Sequence, residues 1–128
     1  MTDLYNYVYD VKSVYDIIPY IVYNSEIIEQ LNKLSVKDFL RLLEDAGALI
    51  FETGGDLQNY FYDFFQDIYN VSDEAMFYVD IEFFIIELIR SRDIDIYYIQ
   101  DEGIFILFDA SIDIESEIQD IIKQYEEV

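Results

Sequence analysis

The chain contains no cysteine, no histidine and no tryptophan, one proline, four glycines, and seven basic residues among 128. Each shortage removes a class of function. Without cysteine there are no disulfides and no thiolate metal sites, which fits an intracellular protein. Without histidine, His-dependent catalytic triads and the usual zinc sites are excluded. The few glycines form no phosphate loop, because Thr53-Gly54-Gly55-Asp56 lacks both the lysine and the spacing. A direct nucleic-acid binder needs a basic groove. The nearest candidate, Lys33, Lys37 and Arg41 at intervals of four, is balanced by Asp38, Glu44 and Asp45 and reads as a solvated helix face. No apolar run approaches the ~20 residues of a membrane span. The start, Met1-Thr2-Asp3-Leu4-Tyr5, has no basic segment of the kind a signal peptide requires. Anionic lipid would repel the chain. The expected location is cytoplasmic, in the host cytoplasm if the protein is viral.

What is abundant is acid and apolar bulk. Asp and Glu number 28, the net charge is −21, and hydrophobic residues make up 53% of the chain. That hydrophobic share is far above disorder-prone composition, so the acidity belongs to a folded surface. Twenty-one Ile, thirteen Tyr and ten Phe supply the interior. The length suits one domain, residues 1–128. Solubility alone needs much less charge. Adaptation to high salt sits poorly with so many large apolar side chains. Codon bias toward A and T would raise Lys together with Ile, Tyr, Phe and Asn, yet only four Lys are present. A negative surface directed at a basic partner is the remaining explanation.

The charge is uneven. Residues 1–41 carry six acids and four bases, a net of −2; residues 42–128 carry twenty-two acids and three bases, a net of −19. Between Leu42 and Ile89 there are eleven acidic residues and no base at all. At the centre of that stretch, Leu57, Phe61, Phe64, Phe65 and Ile68 recur at helical spacing and predict one apolar face. Asp56, Asn59, Asp63, Asp67 and Asn70 form a second stripe. Asp63 and Asp67 would lie roughly 6 Å apart along the axis, a scale comparable with the ~3.4 Å repeat of phosphates on one strand of a duplex. Like charges at i,i+4 weaken a helix, so local stability does not account for the stripe.

Around this centre the pattern predicts a mostly helical α+β domain with a small antiparallel sheet. Thr2 is a candidate N-cap for a first helix carrying Leu4, Val8, Val11, Tyr15 and Ile18, with a short strand at Tyr5, Tyr7 and Tyr9 as the competing reading. Pro19 breaks whatever precedes it. Helices follow at Ser25–Leu34, with Ile27, Ile28 and Leu31 inward, and after Ser35, with Val36, Phe39, Leu40 and Leu43 inward and Gly47 as a stop. Residues 48–52 read as a short buried strand. After the acidic-aromatic helix, Ser72 caps a helix over 73–91 that is apolar nearly all round and reads as the central core helix. Segments 95–100 and 104–109 predict a hairpin joined by Asp101-Glu102-Gly103. Ser111 caps a last helix, with Ile114, Ile118, Ile121, Ile122 and Tyr125 inward and Asp113, Glu117, Asp120, Gln124 and Glu127 outward.

Carboxylate pairs are frequent: Asp80 with Glu82, Asp93 with Asp95, Asp113 with Glu115. A metal-dependent carboxylate enzyme could use such pairs, but commonly wants a nearby Lys, and after Leu42 the only Lys is Lys123. The best calcium-loop match starts at Asp109 and fails at Ile114, where the loop needs Gly. No catalytic residue, metal ligand or cofactor is assigned.

The expectation is a non-enzymatic inhibitor that imitates nucleic acid and occupies the basic groove of a nuclease, restriction enzyme, CRISPR effector or similar protein. Asp56, Asp63, Asp67, Asp73, Asp80, Glu87, Asp113, Glu117 and Asp120 would engage Lys and Arg, and Tyr60, Tyr62 and Tyr69 would stack where bases lie. In size, charge and Asp/Tyr-rich helices the chain resembles the acidic proteins that viruses use against restriction enzymes and CRISPR effectors, and bacterial DNA-mimic regulators. No alignable motif carries that resemblance. An immunity protein or antitoxin neutralising a basic toxin is the alternative, with the metal-dependent enzyme behind it. For the near-neutral Tyr-rich N-terminal segment two readings stand: a homodimer contact, or Tyr rings that cover the core with their hydroxyls in water.

Overall fold

Two sequence runs, Ile94–Ile99 and Ile104–Asp109, hold the centre of the fold because both of their faces are apolar. The computed structural model describes residues 3–126. The runs form β3 (Ile94–Ile99) and β4 (Ile104–Asp109), an antiparallel pair. Flanking them are two three-residue edge strands, β2 (Leu49–Phe51) antiparallel to β4 and β1 (Tyr9–Val11) parallel to β3. The order β1-β3-β4-β2 makes a four-stranded mixed sheet rather than the antiparallel one expected. Short edges of this kind limit the unpaired backbone offered to other chains.

The pleat sends alternate side chains to opposite faces. Ile94, Ile96, Phe105 and Leu107 share one core with Leu4, Leu57, Phe61, Ile85 and Ile86. Tyr97, Ile99, Ile106 and Phe108 share the other with Ile17, Leu31, Phe39, Leu43 and Ile118. Helices therefore cover both faces, which is why the central strands read as nearly continuous apolar runs. The result is an α+β domain, mostly helical, with α1 (Ile18–Ile21), α2 (Ser25–Asn32), α3 (Val36–Asp45) and α7 (Ile114–Glu126) on one face. The other face carries α4 (Gly54–Tyr69) and α6 (Ile81–Arg90), with the one-turn α5 (Asp73–Met76) between them in sequence.

Several expectations hold. Ser35 caps α3 by accepting from the Asp38 N–H at 3.2 Å, and the chain leaves that helix through Gly47 at φ +108°. A β-carbon at Gly47 would also meet Ile112 Cδ1 at 3.0 Å, so sterics and backbone both select glycine there. Ser35→Ala should cost about 1 kcal/mol of stability. Urea unfolding would show it as a lower midpoint at an unchanged slope.

Others are corrected. The first segment is not one helix. Leu4–Tyr7 and Val14–Ile17 are 3₁₀ turns and Tyr9–Val11 joins the sheet, so pairing with β3 overrides the helical spacing. Asp3 caps the first turn; the candidate cap Thr2 lies outside the described residues, as does Glu127. Pro19 opens α1, where its missing N–H has no partner to lose. The strand expected to be buried, β2, lies at the sheet edge with Leu49 exposed. Ile99 pairs with Ile104, so the hairpin connection is four residues, Gln100–Gly103, with Gly103 at φ +64°. Asp113, not Ser111, caps the last helix by accepting from the Ser116 N–H; Ser111 turns back to Asp109.

The largest correction concerns residues 73–91. The chain breaks at Phe77–Val79, and Asp80 restarts it as the cap of α6, accepting from the Phe83 N–H at 3.0 Å. Residues 73–91 therefore do not form the single central core helix expected. Met76, Ile85 and Ile86 are buried, whereas Phe77, Tyr78 and Phe83 face solvent.

Candidate acidic interaction surface

α4 begins where Thr53 accepts from the Asp56 N–H at 3.0 Å and ends at Asn70, which takes the left-handed conformation at φ 51°. Its 16 residues correspond to about 24 Å of rigid rod. Beyond the end, the Gln66 side chain donates to the Val71 carbonyl at 3.1 Å and to Asp73 at 2.6 Å, tying the exit loop back onto the helix. The apolar stripe is buried only in its first half. Exposure rises from 0% at Leu57 and 2% at Phe61 to 38% at Phe64 and 55% at Ile68. The expected apolar face is present on α4, but only its first half is covered by the core. Past Phe65, which packs edge-on to Phe84 at 4.9 Å, the helix has little beneath it.

Asp56, Asn59, Asp63 and Asp67 all face solvent on the opposite side. Among the described residues, the carboxylates of Asp56, Asp63 and Asp67 accept no hydrogen bond. They also take part in neither of the two ion pairs among the described residues, Glu29–Lys33 at 3.2 Å and Glu87–Arg90 at 3.4 Å. The stripe is therefore an uncompensated row of negative charge on a fixed frame.

The other candidate carboxylates divide into three groups. Three serve the fold, Asp80 and Asp113 as helix caps and Asp73 as the acceptor for Gln66, while Glu87 is partly neutralised by an exposed ion pair with Arg90. Glu117 and Asp120 are exposed on α7. α4 and α7 pack into different cores on opposite faces of the sheet, so their acidic stripes do not join into one surface. Of the aromatic candidates, Tyr60 is held against Phe51 and Phe61 at 5.5 and 5.2 Å, and Tyr69 against Phe65 at 4.6 Å. Tyr62 is exposed and has no aromatic neighbour among the described residues.

Away from this surface, Tyr9, Tyr20, Tyr23 and Tyr97 line a cavity of about 700 Å³ at the β1 edge, together with Arg90, Arg92 and Asp95. Burial pushes the Tyr97 hydroxyl up, helped by Asp95 and by Tyr9 and Tyr20. Asp95 is exposed, and partial desolvation at the cavity wall raises its carboxyl above the ordinary 3.8, against the opposing pull of Arg92. A carboxyl raised in the folded state stabilises the fold when protonated, so its contribution is present at low pH and lost as pH rises through the folded value. Asp95→Asn should therefore flatten the acid side of a stability-versus-pH curve, as followed by thermal unfolding at stepped pH.

Among the described residues, no three acidic side chains converge as metal ligands, and no helix is long and apolar enough to cross a membrane. Comparison with known protein families, curated proteins and solved structures finds no match to this chain.

Sequence reasoning missed the exposed pair Phe77–Tyr78 by reading through the break. The signal was there: Asp80 followed by Glu82 and an apolar run is itself a helix start.

Proposed function

We propose that this protein is a small acidic inhibitor that occupies the basic nucleic-acid-binding groove of a target protein, with α4 as the imitating element. The observation that carries it is the row Asp56, Asp63 and Asp67, exposed on one helix and without a counter-charge among the described residues. Asp63 and Asp67 weaken their own helix at i,i+4 and find no partner among the described residues, which points to a use outside the chain. A groove built to neutralise phosphates supplies clustered Lys and Arg, and rigid carboxylates engage them without being a substrate. The active surface is the exposed side of α4, with Tyr62 of the same helix next to the acidic row. α7 presents a second, separate acidic face.

The test is capture on the immobilised protein at low salt, followed by elution with short duplex DNA. Retention of a basic nucleic-acid-handling protein that the duplex releases supports the reading. A retained basic protein that the duplex does not release points instead to an immunity protein that binds beside an active site. Retention of no basic protein overturns both.

A further inference from the structure

Phe77 and Tyr78 are 91% and 92% exposed, the most exposed aromatic side chains among the described residues. Their backbone is nonetheless held in place. Met76 beneath them is buried, the Tyr78 N–H donates to the Ala75 carbonyl at 3.0 Å, and the Val79 N–H donates to the Met76 carbonyl at 3.1 Å. On one side Ser72 caps α5 and Asp73 is tied to Gln66; on the other Asp80 caps α6. Two large apolar rings are thus presented to water by an ordered turn rather than by a loose tail. Ile68, Tyr69 and Phe83, close by in sequence, are also more than half exposed.

Charge decides what covers them. From residue 42 to 89 the chain has no base, and Asp73, Glu74, Asp80 and Glu82 bracket the pair in sequence. A second copy would bring these carboxylates against their own images, with −21 on each molecule. Nucleic acid and anionic lipid are repelled for the same reason. A protein surface with cations around an apolar pocket fits both the rings and the rim.

We propose that Phe77 and Tyr78 are an aromatic anchor that enters an apolar pocket bordered by Lys or Arg on the same basic partner. This rests on the reading of α4 as an acidic mimic and adds what that reading lacks. A charge row alone fits any phosphate-binding groove, whereas a fixed pair of rings fits one, so the anchor sets which partner is chosen. Aromatic residues seated in desolvated pockets commonly dominate such interfaces.

Two labelled peptides with the same number of arginines, one spaced by leucine and one by glycine, test this by fluorescence anisotropy. The leucine peptide should bind about tenfold tighter, and its advantage should persist as salt rises, because apolar contact is not screened. Phe77→Ala with Tyr78→Ala should abolish that advantage and leave the glycine peptide unchanged. Equal binding of the two peptides, or an advantage that survives in the double variant, would overturn the anchor. Failure of both peptides to bind would overturn the acidic reading itself. Ring-dependent binding to neutral phosphatidylcholine vesicles, or a dimer in sedimentation that the double variant loses, would reassign the pair to a bilayer or to a second copy and so overturn the proposal.

Discussion

Replacing Asp56, Asp63 and Asp67 together by Asn is expected to weaken binding to the basic partner by about threefold to a hundredfold. Exposed ion pairs are typically worth about 0.2–1 kcal/mol each, so three give about 0.6–3 kcal/mol, and a factor of ten is about 1.4 kcal/mol. Single changes should cost little, since affinity is spread along the row. The salt dependence should fall with the affinity, because the lost contacts are the screened ones. The fold should survive with little net change in thermal stability: relief of the Asp63–Asp67 repulsion at i,i+4 is offset by loss of the Asp56 charge, which is favourable in the first turn of α4. The matching control is Glu117→Gln with Asp120→Asn on α7. That helix packs on the opposite sheet face, so the control should leave binding unchanged. Titration of both variants at low and moderate salt measures each point.

Phe39→Ala is expected to be the most damaging core substitution, at about 3–5 kcal/mol. Phe39 has no exposed surface and packs within 5.8 Å, ring to ring, of Tyr15, inside the core shared by α3, α2, α7 and one sheet face. Domains of this size hold about 5–15 kcal/mol in total, and the self-repulsion of 28 acids against seven bases lowers that reserve. The urea midpoint should fall by about 2 M. Tyr78→Ala, at a solvent-facing ring, should stay within about 0.5 kcal/mol. Equal effects from the two would contradict the assignment of the core.

Much of this was legible in the residues, and the parts that were not share a cause. α3 was readable because Ser35, the inward positions Phe39 and Leu43, and Gly47 all point the same way. The β3–β4 hairpin was readable because β-branched and aromatic runs flank a glycine. The N-terminal segment was not, since its helical spacing and its Tyr alternation conflict, and the parallel partner that decides between them lies some ninety residues away in β3. The break at Phe77–Val79 was hidden because apolar residues continue through it. Periodicity cannot distinguish a buried ring from one held outward. For the acidic surface, exposure of Asp63 and Asp67 followed from the stripe itself. Which carboxylates were already used did not. Asp80 and Asp113 turn out to be caps, and the separation of α4 from α7 depends on which sheet face each helix covers.

The most direct measurement is equilibrium competition between this protein and a labelled duplex for the isolated basic partner. If α4 occupies the nucleic-acid groove, the apparent Kd of the duplex should rise in proportion to added protein without a ceiling. No complex containing all three components should form, and the Asp56, Asp63, Asp67 triple variant should need a correspondingly higher concentration. A plateau in the apparent Kd, or a stable ternary complex, would contradict occupation of that groove.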